Sequence, residues 1–302
     1  MGRARGACPP GSNMQWGVCD PGELLAWQGR DGGWGHHRGG SWTEPTSCAL
    51  LALAAGGYAG AETRRGLDWL GRAQRPDGGW PPCPGVEEST WVTALPVLVM
   101  AERPEWGDPA RAVKWLLGQS GRESAWLHRL RQRLLGVPSE QVVSHAGWPF
   151  YPGTAAWVTP TAVTILALER IQRRYGGEAV RERIAAGREF LLARRCQDGG
   201  WNHGSSRALG YEAGSYAETT GLALLALKGV AAPRLSHSLR AAEESYRRCR
   251  SAEGLAWLRL ALTAHGRAPG PFPSAMRCRG VVETALCALA EAAAGGRNVF
   301  LS

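Results

Sequence analysis

The stretch Gln197-Asp198-Gly199-Gly200-Trp201 has counterparts elsewhere in the chain. Residues 28–34 read QGRDGGW, residues 74–80 read QRPDGGW, and a worn copy, Gly147-Trp148-Pro149-Phe150, lies between the second and third clean ones. Behind each copy, after a variable gap, come an aromatic residue and then an alanine- and leucine-rich run. Two glycines after an aspartate make a tight reversal at a helix end, where left-handed backbone is needed. The Asp side chain can hold that turn by accepting from backbone N–H groups. Asp31, Asp77 and Asp198 are therefore read as structural.

The apolar runs after the turns, such as Ser47 to Leu53, are apolar nearly all round, as in helices buried on most sides. The segments before the turns carry one apolar stripe, for example Leu67, Trp69, Leu70 and Ala73. About twelve helices follow, alternating between the two kinds, with weak strand signals throughout. Alternation of this sort predicts two layers, an inner ring of apolar helices and an outer ring of amphipathic ones, built from units of about 50 residues that cannot bury their faces alone. The expected fold is all-α: a single α/α toroid of about six helix pairs over residues 21–302, preceded by an irregular segment, residues 1–20. The spacing is broken once. Trp34 and Trp80 lie 46 residues apart, Trp80 and Trp148 lie 68 apart, and the excess is assigned to an insertion at about 121–145. Within it, residues 122–135 form a basic amphipathic helix with Trp126, Leu127, Leu130 and Leu134 on its apolar side.

Composition limits the function classes. The 302 residues are 44% apolar and 20% charged, enough for a substantial core. No apolar run is long enough to span a bilayer, and the N-terminus lacks a signal-peptide core. The expectation is a cytoplasmic protein, with a peripheral contact on the inner membrane face if the helix at 122–135 lies on anionic lipid and not in water. The net charge of +9 is almost all arginine, since Lys114 and Lys228 are the only lysines. It is interleaved with glutamate, which reads as a solvated outer face and argues against nucleic acid. Eight irregularly spaced cysteines fit free thiols in a reducing compartment better than a disulfide framework.

The glycine-tryptophan turns resemble the QW motifs of squalene-hopene and oxidosqualene cyclases, the prenyltransferase/squalene oxidase repeat superfamily, over residues 21 to 294. The resemblance implies a toroid with a central pocket for a hydrophobic isoprenoid and a class II terpene cyclase type of chemistry, an isomerase or lyase activity started by acid. Residues 147–168 are similar to the segment that carries the family's aspartate-rich acid motif, but the tetrad falls on Trp157-Val158-Thr159-Pro160, so all three aspartates are missing. An enzyme that kept such chemistry would be atypical.

The corresponding places in the other units read Trp42-Thr43-Glu44-Pro45, Trp91-Val92-Thr93-Ala94, Tyr216-Ala217-Glu218-Thr219 and Val281-Val282-Glu283-Thr284. If inner helices start at one rim, Glu44, Glu218 and Glu283 converge there as candidate acids, with Trp42, Trp91, Trp157, Tyr216 and Thr159 as candidate substrate contacts. Burial beside other carboxylates raises a carboxyl pKa, as a general acid toward an alkene or epoxide requires. Aromatic faces could stabilise cations. Ordinary helix capping also explains the same glutamates, and both readings stay open at this stage. His36, His37 and His203 follow two of the turns. No zinc-ligand spacing stands at the helix starts, and no metal or cofactor is expected. A non-catalytic toroid binding a hydrophobic ligand or protein partner is the alternative; a carbohydrate-active toroid with paired carboxylates is a third.

Overall fold

A computed structural model describes residues 21–36, 39–122, 146–204, 207–208 and 211–301. The N-terminal segment at 1–20, His37 and the basic helix expected at 122–135, from residue 123 onward, lie outside the described residues. Six inner helices, α2 (Thr43–Ala55), α4 (Ala94–Glu102), α6 (Val158–Tyr175), α8 (Ala217–Ala226), α10 (Ala252–Ala264) and α11 (Val281–Ala294), pack each on the next. The ring closes where α11 meets α2. The outer layer is α1 (Pro21–Ala26), α3 (Ala61–Ala73), α5 (Ala110–Gly118), α7 (Glu178–Ala193) and α9 (Ala232–Arg248). The protein is an all-α, α/α toroid.

The inner helices are buried as their all-apolar character predicts; α2 is buried from Pro45 to Ala55 without interruption. The outer helices bury one stripe only, as with Leu235, Ser238, Leu239 and Ala242 on α9. Their other faces carry exposed ion pairs such as Arg181–Glu178, Arg234–Glu189 and Arg248–Glu244. The sixth outer position has no helix. Residues 266–280 run there irregularly, with Phe272 and Met276 buried and the Arg259 guanidinium over the Phe272 ring. Two short strand pairs are present among the described residues, one joining Trp148–Pro149 to Ala156–Trp157.

Each turn works as a clamp between layers. Trp34, Trp80, Trp148 and Trp201 are all buried. Their indole N–H groups donate to an outer-helix carbonyl: Leu24, Leu70, Leu116 and Leu191 at 2.6–2.8 Å. Their backbone N–H groups donate to a threonine hydroxyl in the first turn of the following inner helix: Thr46, Thr93, Thr161 and Thr220 at 2.8–2.9 Å. The indole bond spans 10 residues in the three clean copies and 32 in the worn one, so all the extra length of that unit lies between Leu116 and Trp148.

The aspartates do what the turn requires. Asp31 accepts from Gly33 N and Ser41 Oγ, Asp77 from Gly79 N and Ser89 Oγ, and Asp198 from Gly200 N and Ser215 N. Burial opposes ionisation of Asp198, but the bonds from Ser215 and Gly200 win and hold its carboxyl below the usual range. The worn copy lacks the aspartate, and Arg183 of α7 takes over. Its guanidinium lies 3.4 Å from the Trp148 ring centroid and donates to the carbonyls of Gln119, Ala146 and Gly147. Burial lowers its pKa to about 10.

Both glycines of a clean turn are required, for different reasons. Gly78 has φ +95°, and a Cβ there would stand 2.6 Å from the Arg111 carbonyl oxygen. Gly79 has ordinary φ, but Ser89 Cβ would lie 2.5 Å from its added carbon. Gly71 of α3 instead faces open space. Gly78→Ala is expected to destabilise the protein by about 1–3 kcal/mol, whereas Gly71→Ala should stabilise it by about 0.5–1 kcal/mol. Chemical denaturation of the two variants checks this, and equal effects would remove the strain argument.

Candidate functional site

Every inner helix sends the same two positions inward. The residue two after the N-cap and the one four later line a central cavity: Glu44 and Cys48 on α2, Thr159 and Val163 on α6, Glu218 and Leu222 on α8, Glu253 and Trp257 on α10, Val282 and Leu286 on α11. On α4 a 3-10 turn, Trp91–Thr93, opens the helix, and Trp91 and Leu95 take the two places. Residues i and i+4 share a helix face, so six parallel helices give two stacked layers around the axis. The cavity has a volume of about 230 Å³, and Leu51, Phe150, His203, Thr219 and Phe300 complete its wall.

The turns also build the mouth. The residue two after three of these tryptophans, Trp80, Trp148 and Trp201, accepts a backbone N–H from the neighbouring unit's inner helix start: Thr43 to Pro82, Trp91 to Phe150, Val158 to His203. This stitching carries Phe150 and His203 onto the cavity. His36, in the same place of the first turn, stands with Nε2 3.5 Å from Glu44 Oε2 and its ring edge-on to Trp42.

Glu44 is the most perturbed of the described carboxyls. Its side chain keeps 31% of its surface accessible, yet protein surrounds the carboxyl on nearly all sides. Burial, and secondarily the Glu253 charge, raise its pKa from 4.5 to about 7. Glu253 is raised in turn, by burial first and then by Glu218 and Glu283, against a hydrogen bond from Trp257. The Cys48 thiol is pushed well up by burial and by Glu44 and Glu253. Small residues bring these groups together. A Cβ on Gly221 would strike the backbone of Trp257 and Leu258 at 2.4–2.5 Å, and one on Gly254 would lie 3.5 Å from Glu218 Oε2. Close approach of α8 and α10 thus sets Glu218 beside Glu253.

The expected set of site residues is partly rearranged. Glu44, Glu218, Trp91 and Thr159 line the cavity. Glu283 does not. It stands three places after the Gly280 N-cap, one residue past the lining position held by Val282, and its carboxylate accepts from Arg279 N at 2.6 Å. The capping reading therefore holds for Glu283, while the polar contact of Glu44 is His36. Thr93 is the threonine of the Trp80 turn, not the counterpart of Glu44. Trp42, Trp157 and Tyr216 are N-cap residues, 39%, 38% and 51% exposed, and form the rim outside the cavity. Glu253 and Trp257 were missed because no glycine-tryptophan turn precedes α10. The signal available was Ser251, an N-cap whose side chain accepts from Gly254 N, with a glutamate two places on.

Sequence comparison with known proteins matches only parts of the chain. The sequence matches no family model. A drimenyl diphosphate synthase from Streptantibioticus cattleyicolor is 48% identical over 59 residues, 19% of this chain and 11% of that protein. A probable squalene–hopene cyclase from Sinorhizobium fredii is 32% identical over 124 residues, 40% of this chain and 19% of that one. The matched parts thus span at most about a fifth of these relatives' length, and they establish partial similarity to terpene cyclases. Among solved structures, a GH8 endo-β-1,4-glucanase from an Achatina fulica gut metagenomic library superposes with TM-score 0.59 at 13% identity, covering 92% of this chain and 97% of that one. A protein from Actinoplanes gives 0.54 at 15% identity, with 91% and 100% covered. At these identities the likeness is one of fold. No helix among the described residues is long and apolar enough to cross a membrane.

A raised carboxyl pKa makes stability fall with pH. The folded protein holds the Glu44 proton more tightly than the unfolded chain does between 4.5 and about 7, so stability is lost as pH rises through that window. Glu44→Gln removes the ionisable group. Relative to wild type, the variant is expected to gain stability on going from about pH 4 to about pH 8, by at most about 3 kcal/mol at roughly 1.4 per unit. Denaturant midpoints at both pH values test this; a difference that does not change with pH would show that Glu44 ionises normally.

Proposed function

We propose that the central cavity binds a short hydrophobic isoprenoid and that Glu44 protonates it, starting a cyclisation or isomerisation. The observation that carries this reading is a carboxyl with a pKa of about 7, inside a largely apolar cavity, facing aromatic side chains. A general acid works best with a pKa near the operating pH. Burial keeps Glu44 protonated, helped by charge repulsion from Glu253. His36, within reach of Glu44 and near the mouth, is placed to return the proton after turnover. The faces of Trp91, Phe150 and Trp257 are then available to a carbocation, each worth on the order of 0.5–2 kcal/mol. The partial similarity to a drimenyl diphosphate synthase and a squalene–hopene cyclase supports the substrate class. The volume argues for a small member of it: about 230 Å³ lies below the roughly 300–1,000 Å³ of ordinary ligand sites.

The chain lacks the aspartate tetrad, with Trp157-Val158-Thr159-Pro160 at that place, and this favours a second reading, a toroid that binds an apolar ligand without turning it over. The glucanase likeness prompts a carbohydrate reading. The Leu and Val walls oppose it, because a sugar's hydroxyls would find few partners there.

Turnover of linear prenyl alcohols and their diphosphates, followed by mass analysis of apolar extracts, tests the proposal. Wild type is expected to form product with a rate that falls above about pH 7, roughly tenfold per unit, as Glu44 ionises. Glu44→Gln should lose about 10²–10⁴-fold, while Glu283→Gln stays near wild type. Binding without any product supports the second reading; equal losses in both variants would remove Glu44 from the chemistry.

A further inference from the structure

The cavity wall is made by repeats, but its floor is not. Phe300 is 2% exposed, lines the cavity and packs on Trp257 with ring centroids 5.5 Å apart. It belongs to residues 297–301, a non-helical strap after α11. Three inner helices hold that strap near their C-terminal ends, and a fourth packs on it. Arg297 donates to the Ala55 carbonyl at the end of α2 and pairs with Glu102 at the end of α4 at 3.0 Å. Arg170 of α6, buried itself, pairs with the same Glu102 at 3.1 Å and donates to the Val299 carbonyl. Arg173 donates to the Leu301 carbonyl, and α10 supplies Trp257. Glu102 thus joins α4, α6 and the strap in one ion-pair network, buried at Arg170 and Glu102 and exposed at Arg297, and disruption of its buried half would leave charges unpaired.

We infer that Phe300 is the floor of the cavity and sets the length of ligand that the toroid accepts. The inference rests on the reading of the cavity as an apolar ligand site. The ring walls and the floor come from different parts of the chain, so depth can change without altering Glu44, Glu253 or the turns. The mouth lies at the helix N-termini, beside His36 and Glu44, and the strap closes the opposite end. A ligand entering by the mouth reaches Phe300 last. Cutting its benzyl side chain back to a methyl group adds about 100 Å³ at the bottom, against the present volume of about 230 Å³.

Two probe series test this: prenyl alcohols of two, three and four isoprene units, and straight-chain alkanols of matching lengths, titrated against the fluorescence of the lining tryptophans. Wild type should lose affinity beyond a cut-off length in either series. Phe300→Ala should move the cut-off up by about one isoprene unit, improving the first excluded probe about tenfold or more. Phe300→Leu should move it less, and it carries the test if circular dichroism shows the alanine variant unfolded. A shift seen with alkanols but no prenyl alcohol binding upholds the floor and sinks the isoprenoid reading. No shift in either series, whether both proteins share one cut-off or neither binds, overturns the floor.

Discussion

The toroid depends on a buried tryptophan that is hydrogen-bonded in two directions at once. Its indole N–H reaches back to the outer helix before it, and its backbone N–H reaches forward to the threonine of the inner helix after it. Both donors lie where water does not reach, so leaving either unmet would cost about 1–3 kcal/mol. The glycines exist to let the tryptophan arrive at that point, and the aspartate holds the reversal. Thr284 keeps the threonine place on α11, where no such turn precedes the helix, and its buried hydroxyl has no hydrogen-bond partner among the described residues.

The same clamp creates the site without contributing to it. By fixing each inner helix start, it fixes which residues face the axis, and the ring then repeats that choice six times. Most places are taken by Leu, Val or an aromatic residue, but three adjacent or facing helices supply glutamate. Carboxyls gathered in an apolar space cannot all ionise cheaply, and Glu44 bears the largest share because it is the most enclosed. Its neighbours Cys48 and Glu253 shift the same way for the same reason. The chemistry proposed for the cavity is a consequence of burial, with no need for the missing aspartate tetrad.

The ring was legible because repeats announce themselves at the level of turns and of apolar periodicity. The placement of Glu44, Glu218, Trp91 and Thr159 followed from it. What failed was register. A helix turns about 100° per residue, so reading α11 one place late exchanged Val282 for Glu283 and pointed the wrong side chain at the axis. On α4 the 3-10 opening hid a similar slip: Thr93, aligned with Glu44 in the sequence, is the clamp threonine, and Trp91 holds the lining position. The threonines 12–13 residues after Trp34, Trp80 and Trp148 would have corrected both. Glu253 was invisible to any search keyed on the turns, and Phe300 to any search keyed on repeats, since its place depends on arginines of distant units. The rim aromatics were correctly placed at the helix starts, but an N-cap residue projects outward and does not reach the axis.

The central claim is that Glu44 carries a proton at neutral pH. Infrared difference spectra between wild type and Glu44→Gln, recorded from acid to alkaline pH, isolate the C=O stretch of this one protonated carboxyl. The band is expected to persist through the weakly acid range and disappear with a midpoint near 7. A midpoint near 4.5, the value of an ordinary glutamate, would contradict it.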